Sequence, residues 1–384
     1  MRWRGIRLVG MDEIRDVTPA EAFALMARGA RLVDVREPDE HALGVPRGAL
    51  ALPRARLEAD PSPAMAGDCD LLLICGSGKR SRLAAEALAA QGLRRLHSVA
   101  GGYAAWQAAG LPVDAEEDPV FLERYSRHLR LPQVGLQGQK TLASSRVLLV
   151  GAGGLGSPAG LYLAAAGVGH LRVVDDDHVD RSNLQRQVLH AESRIGMPKV
   201  ASATIALSAL NPRVSVEAMP VRVTAENVEA LLQDVDVVLD GADNFPTRYL
   251  LSDACVQLRK PLVHGAVHRF EGQASVFDAG RRRGASPCYR CLFPEPPRAE
   301  DAPNCAEAGV LGVLPGIIGL LQAAETIKLL LGIGTTLSGR LLHFDALAMR
   351  FRETRLAPDP DCAVCAPGRA FPGYQDIEAW CATR

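Results

Sequence analysis

The sequence of 384 residues has no excess of charge of one sign, since 43 basic residues are matched by 44 acidic ones. Nucleic-acid-binding surfaces need a clear positive excess, so we expect no nucleic-acid partner. Long apolar runs are also missing. The most hydrophobic stretch, 309–324, is shorter than the roughly 20 residues that span a bilayer, and it contains Pro315. It predicts a buried helix and no membrane association.

A secretory signal is also not recognisable, because the basic N-terminal residues lead into Asp12 and Glu13 without an apolar core. We therefore predict a cytoplasmic location, where thiols stay reduced. Nine cysteines in that compartment indicate metal binding or catalysis. An apolar content of 48% excludes general disorder, and the length predicts two or three domains.

The predicted fold class is α/β. Apolar runs at 31–35 and 71–75 are typical of buried parallel strands, and an alanine-rich helix is predicted at 81–92. After an acidic, proline-containing linker, strands alternate with helices, which predicts a doubly wound parallel sheet. The strands of this second domain are predicted at 147–151, 171–177, 235–243, 261–267 and 272–278, its helices at 199–210 and 313–331, and an antiparallel meander at 338–356.

A glycine-rich motif, GAGGLG, follows the first predicted strand of the second domain and begins a helix. Gly151, Gly153 and Gly156 fit G-x-G-x-x-G, whose glycines let backbone amides approach phosphates at a helix N-terminus. Asp175 ends the next strand, where a ribose-binding carboxylate is expected. The motif by itself indicates a nucleotide, with NAD as the default.

Residues further along favour ATP over NAD. Lys199 lies in the first turn of a predicted helix, where a bound anion would offset its unfavourable interaction with the helix dipole. Asp243 and Asn244 end a predicted strand at the carboxyl edge of the sheet, where a carboxylate can hold Mg²⁺ against phosphates. Together with Arg186, these groups suit ATP chemistry better than hydride transfer. The alternative is that each of these residues forms only a surface salt bridge. That interpretation explains any one residue more readily than it explains all of them together.

Two Cys-x-x-Cys pairs supply four thiolates, Cys288 with Cys291 and Cys362 with Cys365. Such pairs predict tetrahedral zinc that joins two distant segments. With cysteine at all four positions the metal would be structural, since no coordination position stays open. Free or redox-active thiols are the alternative.

A further thiol, Cys75, begins a glycine-rich loop, CGSGKRS, between a buried strand and a helix. Amides in such a loop can point at one anionic sulfur, and Lys79 and Arg80 add positive charge. Both effects lower a thiol pKa and favour a persulfide. Four residues separate Cys75 from Arg80, one fewer than in phosphatase loops, so the loop suits sulfur better than phosphate.

Two family resemblances follow from longer motifs. Residues 121–368 resemble the MoeB/ThiF-type adenylyltransferases, which are related to ubiquitin-activating enzymes. The motifs are RYSRHLRLPQVGLQGQK, GAGGLG, VVDDDHVDRSNLQRQ, GMPK, DGADN, PCYRC, NCAEAGVLG and FRETRL. Residues 12–114 resemble rhodaneses through LVDVREPDEHALGVPRGALALP, LLICGSGKRS and GGYAAWQAAGLPV, with an inactive rhodanese-like module as the alternative. The segment 115–120 is then a linker and 369–384 a C-terminal tail.

The first resemblance implies a site for ATP and Mg²⁺ in a Rossmann-like domain with structural Zn²⁺. It implies that Arg127 reaches the nucleotide of a partner subunit, and hence a homodimer. The residues that it assigns to the nucleotide are Gly151, Gly153, Gly154, Gly156, Asp175, Ser182, Asn183, Leu184, Gln185, Arg186, Lys199, Asp243 and Asn244. In better-known relatives the rhodanese-like module follows this domain, whereas here it precedes it. Which protomer's Cys75 serves which ATP site therefore stays open.

The resemblances imply an enzyme that adenylates a ubiquitin-like sulfur-carrier protein ending in Gly-Gly and then transfers sulfur from a persulfide on Cys75. Arg186, Lys199 and Asp243 would act in adenylation. Cys305 is the residue that in some relatives bonds covalently to the carrier, and a spectator role for it stays open.

The FRETRL motif favours the molybdopterin synthase small subunit as the carrier, with a thiamine-type or other specialised carrier as the alternative. The sulfur donor would be a cysteine desulfurase or thiosulfate. Two different functions also stay open: an NAD-dependent oxidoreductase fused to a sulfur-binding module, and a catalytically silent adaptor that docks the carrier.

Overall fold

The computed structural model describes residues 14–65, 69–115, 117–296 and 309–374. The chain divides into two compact units, with the division between Leu136 and Gln137. Cys305 lies outside the described residues, so its predicted role has no structural counterpart here. The predicted domain boundaries stay a prediction.

The first unit contains a five-stranded parallel sheet. The strands of the unit, two of which form a separate pair, are β1 (Arg15–Val17), β2 (Arg31–Asp34), β3 (Val45–Pro46), β4 (Leu50–Ala51), β5 (Leu71–Ile74), β6 (Leu96–Val99) and β7 (Val113–Asp114). Its helices are α1 (Pro19–Met26), α2 (Pro38–His41), α3 (Arg54–Ala59), α4 (Lys79–Ala90), α5 (Gly102–Ala108) and α6 (Pro119–Arg124), with a 3₁₀ turn at Ser62–Ala64. The sheet order is β1–β6–β5–β2–β4, and β3 pairs with β7.

Both faces of this sheet are buried, which explains the continuous apolar run of β5. Leu71 and Leu73 pack in one cluster with Leu88 of α4, while Leu72 and Ile74 pack in another with Trp106 of α5. Successive side chains of a strand point to opposite faces, so a strand covered on both sides has no polar position.

The second unit contains an eight-stranded sheet. Its strands are β8 (Arg146–Val150), β9 (His170–Val174), β10 (Ser215–Met219), β11 (Val237–Asp240), β12 (Leu262–His268), β13 (Glu271–Phe277), β14 (Arg340–Asp345) and β15 (Arg350–Arg355). Helix α7 (Gly135–Ser144) begins at the division between the units, and α8 (Gly156–Ala166), α9 (Lys199–Leu210), α10 (Val228–Leu232), α11 (Phe245–Gln257), α12 (Tyr289–Leu292) and α13 (Val313–Leu331) follow. Short 3₁₀ turns occupy Arg181–Asn183 and Glu192–Arg194.

The strand order of this sheet is β10–β9–β8–β11–β12–β13–β14–β15, and the first five strands are parallel. From β8 the chain winds outward through β9 and β10, then returns to β11 on the other side of β8. This reversal places a crevice at the carboxyl ends of β8 and β11, where ligands of such sheets bind. Helices cover both faces, with α8 and α13 on one and α11 on the other. The predicted doubly wound α/β fold is confirmed.

Helix α13 is long and apolar enough to cross a membrane if length and composition alone are considered. In the structure it packs against α8, β12 and β13. Its buried Gln322 donates hydrogen bonds to the carbonyl oxygens of Asp240 (2.6 Å) and Val263 (3.1 Å). It is the buried helix predicted for this stretch.

Candidate functional site

A cavity of about 340 Å³ opens at the carboxyl edge of the second sheet. Six of the residues assigned to the nucleotide line it, namely Gly151, Gly153, Asp175, Lys199, Asp243 and Asn244. Lining residues that were not predicted include Asp176, Asp177, Gln187, Arg222 and Gly241. Distant parts of the sequence therefore meet around one space of the size of a small-molecule site.

Two loops meet backbone to backbone at the base of this cavity. Gly151 has φ of +90°, and a Cβ atom there would lie 2.6 Å from the carbonyl oxygen of Gly241. A Cβ atom on Gly156 would lie 1.8 Å from the carbonyl oxygen of Gly151. Side chains at these positions would force the loops apart, so the motif glycines keep the backbone available to a ligand.

Asp175 anchors the glycine loop. Its carboxylate accepts hydrogen bonds from the amides of Ala152 (2.8 Å) and Asp177 (2.9 Å). Burial raises the pKa of Asp175 above its ordinary value, although the charge of Lys199 and the two amides oppose this shift.

Lys199 is buried and is the first residue of α9. Its Nζ atom lies 2.8 Å from the carboxylate of Asp177, a partner that sequence reasoning missed. The Asp177 side chain is 67% exposed. Because an ammonium group has three N–H donors, Lys199 can bind a further anion without losing this pair.

Asp243 is exposed and lies three residues beyond the end of β11, not in the strand as predicted. Asn244 is the N-cap of α11, where its Oδ1 atom accepts from the amide of Thr247 (3.0 Å). The cap defines where the helix begins and leaves the neighbouring carboxylate facing the cavity. An exposed carboxylate is a suitable Mg²⁺ ligand in a site that also receives phosphates.

The segment 182–186 packs beside the glycine loop but does not line the cavity. Arg186 donates to the Asn183 side chain (3.0 Å) and to the carbonyl oxygen of Ser182 (3.3 Å). A Cβ atom on Gly154 would lie 3.6 Å from Cγ of Arg186. Of the remaining assigned residues, Leu184 is half-buried, Gln185 is exposed, and Arg127 is an exposed residue of the first unit. The nucleotide-binding roles of these residues stay predictions.

His190 supports the glycine loop and was not predicted. Its Nε2 atom lies 2.9 Å from the carbonyl oxygen of Ala152, and its Nδ1 atom lies 2.9 Å from the hydroxyl of Ser202. Burial lowers the pKa of His190, which favours the neutral ring. Since a carbonyl only accepts, Nε2 carries the proton and Nδ1 accepts from Ser202. A single buried histidine gives no distinctive sequence signal.

The four cysteines of the two Cys-x-x-Cys pairs converge in the second unit. Their Sγ atoms all lie within 4.8 Å of one another. Neighbouring sulfurs are 3.9 Å apart for Cys288 and Cys291, 3.6 Å for Cys288 and Cys362, and 3.4 Å for Cys291 and Cys365. A tetrahedron with zinc–sulfur distances of about 2.3 Å has edges of about 3.8 Å, so this donor set fits Zn²⁺.

Groups around the cluster support both segments. The amide of Asp359 donates to Sγ of Cys291 (3.3 Å), and Arg283 donates to the carbonyl oxygen of Arg369 (3.3 Å). Arg281 pairs with Asp278 at 2.7 Å. Arg281 and Arg283 both lie in the loop between β13 and α12, which leads to Cys288.

In the first unit, Cys75 directly follows β5, and its loop leads into α4. The thiol is buried, and Gly78 donates its amide to the sulfur at 3.2 Å. Burial opposes the thiolate, but hydrogen bonds from the Ser81 hydroxyl and from loop amides outweigh it and hold the pKa of Cys75 below its ordinary value. The contributing amides belong to Ser77, Gly78 and Ser81. This cradle is the one expected for an anionic sulfur.

The positive charge expected near Cys75 is partly neutralised. Arg80 forms two hydrogen bonds with Glu40, at 2.6 and 2.7 Å. This pair raises the pKa of Arg80, so the guanidinium stays charged and fixed over the loop. Lys79 is exposed. The thiolate is therefore stabilised by amides and a hydroxyl rather than mainly by free cations.

Comparisons with known proteins match both units. A model of the ThiF family matches residues 125–364, and a model of the rhodanese-like domain matches residues 18–109. A SAMP-activating enzyme E1 of Haloferax volcanii is 54% identical over 261 residues, which are 68% of this chain and 93% of that protein. A sulfur carrier protein adenylyltransferase of Thermus thermophilus is 52% identical over 264 residues, covering 68% of this chain and 97% of that protein.

A further relative combines two activities in its name. The adenylyltransferase and sulfurtransferase MOCS3 of Anopheles gambiae is 49% identical over 264 residues, which are 68% of this chain and 59% of that protein. Among solved structures, E. coli MccB with ATP has a TM-score of 0.55 and 21% identity, covering 68% of this chain and 84% of that one. At this identity the likeness concerns the fold alone.

We predict that Cys362→Ala removes the metal, because structural zinc contributes folding free energy and needs all four thiolates. The purified chain should hold about one zinc ion, and the variant little or none, with a lower melting temperature. Elemental analysis and thermal unfolding measure both. Cys69→Ala, outside the cluster, should keep the metal. Freshly purified, active protein without zinc would contradict the assignment.

We also predict that Cys75 keeps thiolate reactivity to a lower pH in the folded protein than in the same chain unfolded in denaturant. The reason is the lowered pKa, which the Ser81 hydroxyl helps to maintain. Alkylation by iodoacetamide across a pH series, followed by peptide mass spectrometry, gives the midpoint for this cysteine alone. Ser81→Ala should move the native midpoint upward. A native midpoint at or above the denatured one would contradict the cradle.

Proposed function

The chain belongs to the ThiF family and carries a rhodanese-like domain, and from this membership we propose that it adenylates a ubiquitin-like sulfur-carrier protein and then replaces the adenylate by sulfur. The predicted family, fold class and enzyme class, an adenylyltransferase with sulfurtransferase activity, are confirmed. One observation carries the proposal: Lys199 and Asp243 lie on the cavity whose base is the glycine loop.

In the first reaction, a carboxylate oxygen of the carrier's terminal glycine attacks the α-phosphorus of ATP. A bond forms between that oxygen and phosphorus, the bond to the β-phosphate bridge breaks, and pyrophosphate leaves. Lys199 and Arg186 stabilise the negative charge that develops on the phosphates. Asp243 would hold the Mg²⁺ that accompanies ATP.

Two other functions fit parts of the site less well. An NAD-dependent oxidoreductase would use the glycine loop and Asp175, but hydride transfer requires neither a buried lysine nor an exposed carboxylate on the same cavity. A silent adaptor would need no nucleotide cavity. Carrier-dependent exchange between ATP and pyrophosphate separates the three, because only adenylation produces it.

In the second reaction, the terminal sulfur of a persulfide on Cys75 attacks the acyl carbon, and AMP leaves. The product is a disulfide between Cys75 and the acyl-bound sulfur. A thiolate on Cys305 then attacks the Cys75 sulfur and releases the carrier thiocarboxylate. The resulting bond between Cys75 and Cys305 is reduced by an external thiol. The role of Cys305 rests on family resemblance.

The carrier that we propose is the molybdopterin synthase small subunit, because of the FRETRL motif, all but the last residue of which lies in β15. A thiamine-type or other carrier stays the alternative, and relatives are named for SAMP and for a sulfur carrier protein. We further propose a homodimer in which Arg127 serves the partner's nucleotide, a cytoplasmic location, and a cysteine desulfurase or thiosulfate as the sulfur donor.

We predict that Asp243→Asn lowers carrier-dependent pyrophosphate exchange by about 100-fold or more, because the Mg²⁺ that accompanies ATP loses its carboxylate ligand. Asp176→Asn is the matched control, since it removes the same charge from an exposed residue of the same cavity. It should change exchange by at most a few-fold. Near-normal exchange in the Asp243 variant, or equal losses in both, would remove Asp243 from the mechanism.

We predict that Cys75→Ser separates the two reactions. Exchange should persist, because the residues assigned to adenylation lie outside the rhodanese-like domain, whereas thiocarboxylate formation should fall to background because serine cannot carry a transferable sulfur. Mass spectrometry of the carrier after a single turnover detects the thiocarboxylate, because the replacement of one carboxylate oxygen by sulfur from Cys75 adds about 16 Da. Cys69→Ser should leave both reactions intact. Normal thiocarboxylate formation in the Cys75 variant would exclude the rhodanese-like domain as the sulfur source.

A further inference from the structure

A buried acid and a buried histidine lie beneath the loop that carries Asp243. Asp240 is the last residue of β11, and His264 is its register partner on β12. Both side chains are inaccessible to solvent, and Nδ1 of His264 lies 2.9 Å from Oδ2 of Asp240. Neither residue lines the nucleotide cavity. Any effect of the pair on that site therefore passes through the loop.

The loop is held by the same acid. Oδ1 of Asp240 accepts from the amide of Ala242 at 3.0 Å. Arg248 donates to the carbonyl oxygen of Ala242 at 2.9 Å, so this residue is held at both its amide and its carbonyl. Ala242 directly precedes Asp243. Any rotation of the Asp240 carboxylate would therefore shift the turn that places Asp243 on the cavity.

His264 has one polar contact in the described part of the chain. Its ring packs against Phe277 and Tyr289, with centroid distances of 5.7 and 5.3 Å. Burial lowers the pKa of His264 despite the neighbouring carboxylate, which favours the neutral ring. Because a carboxylate only accepts, Nδ1 carries the hydrogen. The buried Nε2 atom has no hydrogen-bond partner among the described residues.

The bond from His264 also prevents a competing arrangement. Nε of Arg248 is buried without a hydrogen-bond partner in the described structure, and it lies 3.9 Å from Oδ2 of Asp240. Without the histidine donor, the carboxylate would turn toward this guanidinium, since a buried charge requires a donor. The hydrogen bond to Ala242 would then weaken.

We propose that His264 is a positioning residue of the nucleotide site, which fixes Asp240 and through it the turn that presents Asp243 to Mg-ATP. The inference rests on the proposed function, in which Asp243 holds the metal. Partners that orient a metal ligand from behind commonly change metal affinity by about 10- to 100-fold when they are removed. The effect should therefore appear in the Mg²⁺ dependence of nucleotide binding and not only in stability.

The test compares His264→Asn with His264→Gln and His264→Leu. Asparagine keeps an N–H near the position of Nδ1, glutamine places its amide farther out, and leucine has no donor. Calorimetric binding of α,β-methylene ATP at a series of Mg²⁺ concentrations gives the half-saturating Mg²⁺ concentration. It should rise about tenfold in the glutamine and leucine variants and stay within about twofold of the wild type for asparagine. Melting temperature and zinc content are recorded for all.

An unchanged Mg²⁺ dependence in the glutamine variant overturns the inference, whatever its melting temperature. If only the asparagine variant folds, His264 serves the core alone and the inference is overturned as well. The proposed function is tested separately by carrier-dependent pyrophosphate exchange in the wild type. Absent exchange together with the expected change in Mg²⁺ dependence would reject that function and leave His264 as a positioning residue for nucleotide binding.

Discussion

The close backbone contact between Gly151 and Gly241 is the constraint on which the candidate nucleotide site depends. Each glycine directly follows a strand of the central pair, β8 and β11, and no side chain fits where the two glycines meet. This contact brings the amide-rich loop before α8 next to the loop before α11. Asp243, on the second of these loops, therefore lines the same cavity as Gly151 and Lys199.

Polar groups behind the site keep these loops in place. Asp175 holds the amide of Ala152, and His190 holds its carbonyl. Asp240 and Arg248 hold the corresponding groups of Ala242. In each loop, polar side chains supply hydrogen-bond partners for backbone amide and carbonyl groups that the turn itself leaves unpaired. Groups that would contact ATP are thus carried by loops whose backbone is held by these hydrogen bonds.

The proposed sulfur transfer depends on a separate set of interactions, those around Cys75. Cys75 lies in a unit with its own two-sided core, and its thiolate is stabilised by loop amides and by Ser81. Arg80 contributes less free charge than its sequence position suggests, because Glu40, forty residues away, neutralises it. The four-cysteine cluster has a structural role. It joins the segment after β13 to the segment after β15, and Arg283 and the amide of Asp359 also link these two segments.

The α/β class, the glycine motif, the paired cysteines and the Cys75 loop could be predicted from the sequence, because each depends on local spacing or on a periodic apolar pattern. The sequence also predicted Lys199 at a helix start and Asp243 at the end of a strand, but the strand ends three residues earlier, at Asp240. The sequence did not show which side chains meet in the folded chain, namely Asp177 with Lys199, Glu40 with Arg80, and Asp240 with His264. These pairs join residues 22 to 40 positions apart, and they meet because of how the strands and helices are arranged in space, which no local pattern encodes.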